Sequence, residues 1–494
     1  MRRLLYILLL LFMVVPGKSM HVADSLENLG FDEFRKSMHE DFDSFRDEIM
    51  EDYIDFVRNP WKLFEDEEPV PAPVIDPVPP VVAPDVVPDV TDVPPVPIEQ
   101  LLPPIDLVPQ PNPVEPIDVA PVEHDCHVEF VFFGTKARVR LDAAQRVELA
   151  TVEENAIADA LEKMASRNFD AVITDCLDIR KRLALSDWAY IKMLEAMADK
   201  AYGGHSSSSV LFMAYVYMRS GYRMRLAIGG GRLYMLYSTE HIVYDKSYYM
   251  VDECVYYCLD EHPSRMHICQ ASFPGESPLS LVIATSQMFD DNAEEGRTIS
   301  SKRHAGMDVT LSVNRNLLDF YSSYPASMIG NNLLTRWAMC ATAPMSERVR
   351  AQLYPVLKNH IKGLDELEAA NRLLGLVQTG LVYGYDNEIW GYDRAFFSEE
   401  SLFYDCCDCE DRSILFTKLV TDLLGLDVAI VYVPGHLLAA VHFPGDVKGE
   451  CIFVDGEKYI LCEPTCTNGA PVGWVDLEDG ISLQAIKISG FKEQ

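Results

Sequence analysis

The chain repeats itself. His205-Ser-Ser-Ser-Ser-Val-Leu-Phe-Met-Ala-Tyr-Val-Tyr-Met-Arg-Ser-Gly221 lies without a gap on Cys409 to Gly425, at a constant offset of 204. Ser209-Val-Leu-Phe212 falls on Ser413-Ile-Leu-Phe416, Gly221 on Gly425 and Gly231 on Gly435. This match limits the fold more than any other feature, because both stretches must suit one scaffold. In the second stretch, apolar residues at 414, 415, 419, 423 and 424 have the spacing of a helix with one buried face. Gly425 is placed to cap its C-terminus. Val428–Val433 is a β-branched run, Pro434-Gly435 a turn, His436–Phe443 an apolar strand and Tyr459–Cys462 a third. Chance similarity between two amphipathic helices followed by strands is the plain alternative. With both glycines in register, duplication is the better reading. The expected fold is α+β, in two copies.

The second copy carries the chemistry. A helix packed on this short sheet would bring Cys409, His436 and Glu463 together. A thiol attacks a carbonyl as thiolate, and the free N–H groups and dipole of a helix N-terminus favour the anion. An imidazole takes the proton, and a carboxylate on its other nitrogen fixes the tautomer. The Cys409 N–H is a candidate oxyanion donor. Asp405, Asp408, Glu410 and Asp411 surround the thiol and oppose its ionisation, which leaves the activation to His436. In the first copy the cysteine position holds His205 and the histidine position Arg232. With one residue of slippage, Tyr256–Asp260 matches Tyr459–Glu463. The first copy is therefore expected to keep the scaffold without the nucleophile and base. Gly204-His-Ser206-Ser-Ser208 lacks the closing glycine of a serine nucleophile elbow.

Each member of the set has a structural alternative. Cys406 and Cys409 form a C-x-x-C, which suits a redox pair or half a zinc site. No second C-x-x-C or H-x-x-H follows at zinc spacing. A lone buried cysteine is most often a small hydrophobe. His442 is the reserve base. Upstream, Tyr383-Gly-Tyr-Asp-Asn-Glu-Ile-Trp-Gly-Tyr392 is an aromatic loop suited to walling a cleft. Gln378 and Trp390 are candidate oxyanion or substrate-cleft residues, with core packing as the commoner fate of both types.

Cys409-Glu-Asp-Arg-Ser, a leucine-rich helix ending in Gly, Pro-Gly-His436 and Glu463-Pro-Thr together resemble the transglutaminase-like (papain-like) superfamily core. The match spans at best the last third of the chain, with the sharp motifs between Asp408 and Thr465. The resemblance implies Cys409 as nucleophile, His436 as base and Glu463 as orienting acid. The family usually has Asp in an Asp-Pro-Thr motif, and Glu463 is one methylene longer. Members include cross-linkers, peptidases and amidases, so a mechanism class is implied and no substrate.

At 494 residues the chain is long enough for two or three domains. Its 42 basic and 76 acidic residues give a net charge of −34, which disfavours nucleic acid and anionic membranes as partners. Met1-Arg-Arg followed by the twelve-residue apolar run Leu4–Val15 and Gly17-Lys-Ser19 reads as a cleavable signal peptide over 1–19. The protein is expected to be exported, periplasmic or envelope-associated, with no transmembrane span after cleavage. Residues 20–66 hold an acidic amphipathic helix whose apolar residues at 31, 34, 38, 42, 45, 49, 53 and 56 keep an eleven-residue period. Its stripe suits docking on its own protein, self-association or an envelope partner better than a membrane surface. Residues 67–122 are proline-rich and read as a semi-rigid polyproline spacer holding that helix away from the body. Residues 123–290 form the degenerate copy, with a helix from Leu185 capped by Ser186 or Asp187. Residues 291–345 connect, and 346–494 form the catalytic copy, with Pro355 expected to end or kink its first helix.

The reaction expected is attack on an amide or peptide bond through an acyl-enzyme, hydrolysis rather than cross-linking, since no calcium-loop motif or lysine-acceptor feature is evident. No cofactor or metal is expected. The rival expectation is a non-catalytic binding or assembly protein on an inactive scaffold. Twelve cysteines leave the disulfide pairing open.

Overall fold

The computed structural model describes residues 48–73, 79–84, 90–91, 93–102, 127–166, 169–478 and 480–489. The signal-peptide segment and the predicted helix up to residue 47 lie outside them. Tyr53–Gln494 form one compact unit of mixed α+β structure. In chain order its strands are β1 Lys62–Glu65, β2 Ile98–Leu102, β3 His127–Phe132, β4 Thr135–Arg140, β5 Met224–Gly229 and β6 Arg232–Ser238. Then come β7 His241–Val243, β8 Tyr248–Val251, β9 Cys254–Cys258, β10 Arg265–Ile268, β11 Ala293–Ser300 and β12 Asp308–Asn314. The last are β13 Ser327–Ile329, β14 Val428–Val433, β15 His436–His442, β16 Cys451–Val454, β17 Glu457–Cys462 and β18 Leu483–Ile488.

Two six-stranded sheets dominate, and they have the same order. One runs β1-β10-β5-β6-β9-β8; the other, read from its opposite edge, runs β2-β18-β14-β15-β17-β16. The central hairpins share their register, with Gly229 opposite Arg232 in one and Val433 opposite His436 in the other. In the first sheet Ala227, Tyr234 and Leu236 enter one apolar cluster, and in the second Val431, Leu438 and Ala440, each 204 residues on, enter another. A helix precedes each hairpin and packs on it, Ser207–Arg219 on β5 and β6 and Cys409–Leu424 on β14 and β15. The sheets differ at one edge, where β1 is antiparallel to β10 and β2 parallel to β18.

The helix and hairpin expected after Asp408 are present. Gly425 caps the helix in the left-handed region at φ 65°, where a side chain would be strained. The Asp187–Tyr202 helix has Ser186 as N-cap, its hydroxyl accepting from the Ala189 N–H.

Two expectations need correction, and the end of the N-terminal helix takes the docked alternative. The proline-rich segment is no detached spacer. Its Ile98–Leu102 run pairs with β18 as a sheet edge, the Val96 N–H donates to the Cys451 carbonyl, and Ala83 is bonded through N–H and C=O to the Asn468 amide. Proline-free residues regain the ladder donors that prolines lack. The N-terminal helix, described over residues 48–57, buries Tyr53, Ile54 and Val57 and leaves Phe56 49% exposed. Its end docks on its own protein, Tyr53 meeting the Phe273 ring at 5.9 Å and Arg58 pairing with Asp159 and Glu162. Pro355 does not end its helix, which runs Glu347–Ile361. The proline is on the exposed side, where water can take the carbonyl it leaves unbonded.

The connecting region is built of several elements. It contains the β11–β12 hairpin, the Arg315–Ser322 helix, β13 paired with β7, and the Leu334–Thr342 helix. No helix among the described residues is long and apolar enough to cross a membrane.

Candidate functional site

Cys409 is the first residue of its helix. Asp408 is the N-cap, accepting from the Glu410 N–H at 3.2 Å, and the Asp411 carboxylate returns to the Asp408 N–H at 3.4 Å. Two of the acids around the thiol thus form a capping box. Asp411 also accepts from the Phe396 N–H at 2.8 Å. The fully buried Arg412 fixes the helix against its neighbour, the Glu366–Gly380 helix, by donating to the carbonyls of Gln378 at 3.2 Å and Leu381 at 3.1 Å. Its guanidinium lies 5.2 Å from the Tyr383 ring centre. Ser413 ties the helix to the hairpin, its hydroxyl donating to the Leu437 carbonyl at 2.8 Å.

His436 opens β15 directly after the Pro434-Gly435 turn. Its Nε2 donates to Glu463 at 3.0 Å to Oε2 and 3.2 Å to Oε1. That contact fixes the tautomer, because a carboxylate accepts only from the nitrogen that carries hydrogen. Nδ1 is therefore the nitrogen with the lone pair, and it is buried without a hydrogen-bond partner among the described residues. Glu463 follows β17 and is 1% exposed. Both the N–H and hydroxyl of Thr465 donate to its Oε1. The Glu-Pro-Thr motif thus holds its own carboxylate toward the imidazole, and the extra methylene does not prevent that contact.

Gln378 does not serve as an oxyanion donor. Its Nε2 donates to the carbonyls of Glu463 at 2.9 Å and Ala470 at 3.0 Å, and its Oε1 accepts from the Ala470 N–H. Both amide hydrogens are committed, so this side chain positions the loop bearing Glu463. An amide on the buried side of a helix rich in leucine was the signal for such a role. Trp390 packs in an aromatic box with Phe396 and Tyr404, with the Arg394 guanidinium 4.7 Å from its ring, and its Nε1 has no partner among the described residues. His442 is at the far end of β15, roughly 20 Å along the strand from His436 at 3.3 Å per residue. Its Nδ1 lies 3.0 Å from the Lys458 carbonyl, so it is no substitute base.

Electrostatics divide the site. Burial, then Asp408 and Glu410, push the Cys409 thiol well above its ordinary pKa, while the Leu437 N–H opposes them. Burial also pushes Asp386 up to about 6 and Asp408 up to about 8, with Asp386 and Asp393 adding repulsion at Asp408. Glu410 and Asp411 rise well above the carboxylate range for the same reasons, burial first and Asp408 next. Among the described residues, Cys406 and Cys409 belong to no metal-ligand cluster. Among the described residues the one group with that spacing is Asp386, Asp393 and Glu410. The eleven described cysteines are all free thiols.

The other sheet offers the counterpart. His205 has Nδ1 3.2 Å from Asp199 and Nε2 3.3 Å from Asp260. Asp260 follows β9 as Glu463 follows β17, and the exposed Arg232 opens β6 as His436 opens β15. This site has a carboxylate-held imidazole in the position of the Cys409 thiol. Comparison with protein-family models, curated proteins and solved structures gave no match. The functional reading therefore stands on the residues themselves.

Proposed function

We propose that the protein is a transglutaminase-like thiol enzyme that opens amide or peptide bonds by acyl transfer to Cys409. The observation that carries this reading is the His436–Glu463 pair, with Nε2 held by the carboxylate and Nδ1 left unpartnered. In the reaction Nδ1 takes the Sγ proton as sulfur bonds to the carbonyl carbon, and the carbonyl oxygen becomes an oxyanion. The Cys409 N–H at the helix start is the donor available to that oxyanion. The proton then passes from Nδ1 to the leaving nitrogen as the C–N bond breaks, giving an amine and a thioester. Water attacks next, gives a proton to Nδ1, and releases the acid and the thiol. Hydrolysis is preferred to cross-linking because no feature of the site marks a lysine acceptor.

The two sheets of identical order support a second proposal, that the scaffold was duplicated and the first copy lost its nucleophile. Export rests on the Met1–Ser19 leader alone. A peptide or protein substrate fits the amide chemistry, and neither the net charge nor the site favours nucleic acid.

One observation favours a second reading, an inactive scaffold that binds. The thiol is buried and two adjacent carboxylates oppose its ionisation. Hydroxylamine trapping separates the two. An enzyme incubated with an acyl-amide substrate and hydroxylamine yields the hydroxamate, and Cys409→Ser yields none. Absence of hydroxamate from the native chain across a library of peptide amides would favour the binding reading.

A further inference from the structure

We propose that Asn468 is a positioning residue of the candidate site: it seats the loop bearing Glu463 on the proline-rich segment and so holds the carboxylate against His436. Its Oδ1 accepts from the Ala83 N–H at 2.8 Å, and its Nδ2 donates to the Ala83 carbonyl at 2.7 Å. The neighbouring Thr467 N–H donates to the Val81 carbonyl at 3.0 Å. Ala83 itself is 3% exposed and packs with Cys466, Ala470 and Trp474.

The sequence of the segment suits this role. Val81-Val-Ala83 lies between Pro79-Pro80 and Pro84. Prolines favour an extended chain whose N–H and C=O groups make no bonds to each other, which leaves them available to a loop alongside. They also restrict the unseated chain, which lowers the entropy lost on seating it. The segment is fixed on both sides of the seat. Upstream, the Ala72 N–H donates to the Asp245 carboxylate at 3.2 Å, beside the first sheet. Downstream, the Val96 N–H donates to the Cys451 carbonyl at 2.8 Å, and Ile98–Leu102 pairs with β18.

Two grips thus act on one loop. Gln378 fixes its ends, at the Glu463 carbonyl and at Ala470. Val81 and Ala83 fix its middle, at Thr467 and Asn468. Thr465 lies between the two grips, and its N–H and hydroxyl hold Glu463 Oε1. A shift of the middle would move Thr465 and, with it, the carboxylate that sets the His436 tautomer. Misplacing a reacting group by about 1 Å can cost about 100-fold in rate. This consequence for catalysis rests on the acyl-transfer reading, whereas the hold on His436 does not.

The test reads the His436 Nε2–H by NMR on the full chain with 15N-labelled histidine, the signal being the one absent from His436→Ala. In the native chain this N–H is buried and bonded to Glu463, and it should exchange slowly with water. Asn468→Ala should speed the exchange about tenfold or more. Asn468→Asp keeps an acceptor for the Ala83 N–H and should show a smaller increase; it carries the comparison if Asn468→Ala does not fold. Asp245→Gly, which releases Ala72 upstream of the seat, should change the exchange less than about twofold. In peptide-amide cleavage, Asn468→Ala should lower kcat about tenfold with KM within about twofold. No cleavage by the native chain would sink the acyl-transfer reading and leave the exchange to decide this proposal. Exchange as fast in the native chain as in Asn468→Ala overturns the proposal. So does an equal change in Asp245→Gly, which would make the segment a general support of the fold.

Discussion

The two six-stranded sheets share strand order, hairpin register and a preceding helix, yet their equivalent corners do different things. At one corner a helix begins with Cys409, a strand with His436, and Glu463 holds the imidazole at 3.0 Å. At the other, His205 sits in the cysteine position with carboxylates on both nitrogens, and Arg232 stands where a base would be. The difference separates scaffold from chemistry. A helix packed on a hairpin, with glycine at the helix end, is a stable unit whatever its first residue. On the acyl-transfer reading, the reactive set is three side chains placed on it.

The largest effect should therefore fall on one corner only. Cys409→Ala and His436→Ala should each lower kcat/KM for peptide-amide cleavage about a thousandfold or more. His205→Ala and Arg232→Ala should stay within about twofold in the same assay. A comparable loss in His205→Ala would break the comparison.

Arg412 sharpens it next. It is buried, and its loss would orphan two carbonyls at the end of the neighbouring helix. Arg412→Met should cost about 3 kcal/mol in urea unfolding. The position 204 residues earlier is Ser208, exchange of which for Ala should cost less than half as much. Equal losses would mean that the two helices are seated alike.

Gln378 tests positioning without touching the reacting atoms. Gln378→Leu should lower kcat about 10- to 100-fold with little change in KM, as supporting residues typically do. A change confined to KM would place Gln378 at the substrate instead.

The half that carries Cys409 also has an unusual pH signature. Burial pushes Glu399 up to about 7 from its ordinary 4.5, although Ser346 donates to it. A carboxyl with a raised folded-state pKa stabilises fully below about 4.5. That stability is lost as pH rises toward about 7, the reverse of a salt-bridged acid. Stability should therefore fall over this window, with Glu399 contributing roughly 1.4 kcal/mol per pH unit. Glu399→Gln should flatten the slope by that amount in urea melts at pH 5, 6 and 7. An unchanged slope would assign the effect elsewhere.

What the sequence made legible was local. The helix after Asp408, its Gly425 cap, the Pro434-Gly435 turn and the acid after β17 all follow from spacing and turn chemistry over a few residues. Pairings across the chain were not legible. Nothing in Ile98-Glu-Gln-Leu-Leu102 announces that its partner is Leu483–Ile486, nearly four hundred residues on. The prolines on either side describe a local preference that sheet pairing overrides. The roles of Gln378 and of the Asp408–Asp411 box were hidden for a related reason. Residue type supplies donors and acceptors, but only the fold decides which partners they meet.

The most direct test of the central claim is intact-mass spectrometry after incubation with an electrophilic peptide-amide probe at neutral pH. The native chain should gain a single adduct, which Cys409→Ala and His436→Ala should both lack. An adduct that persists in His436→Ala, or none on the native chain, would contradict a His436-activated Cys409 and leave both corners as scaffold.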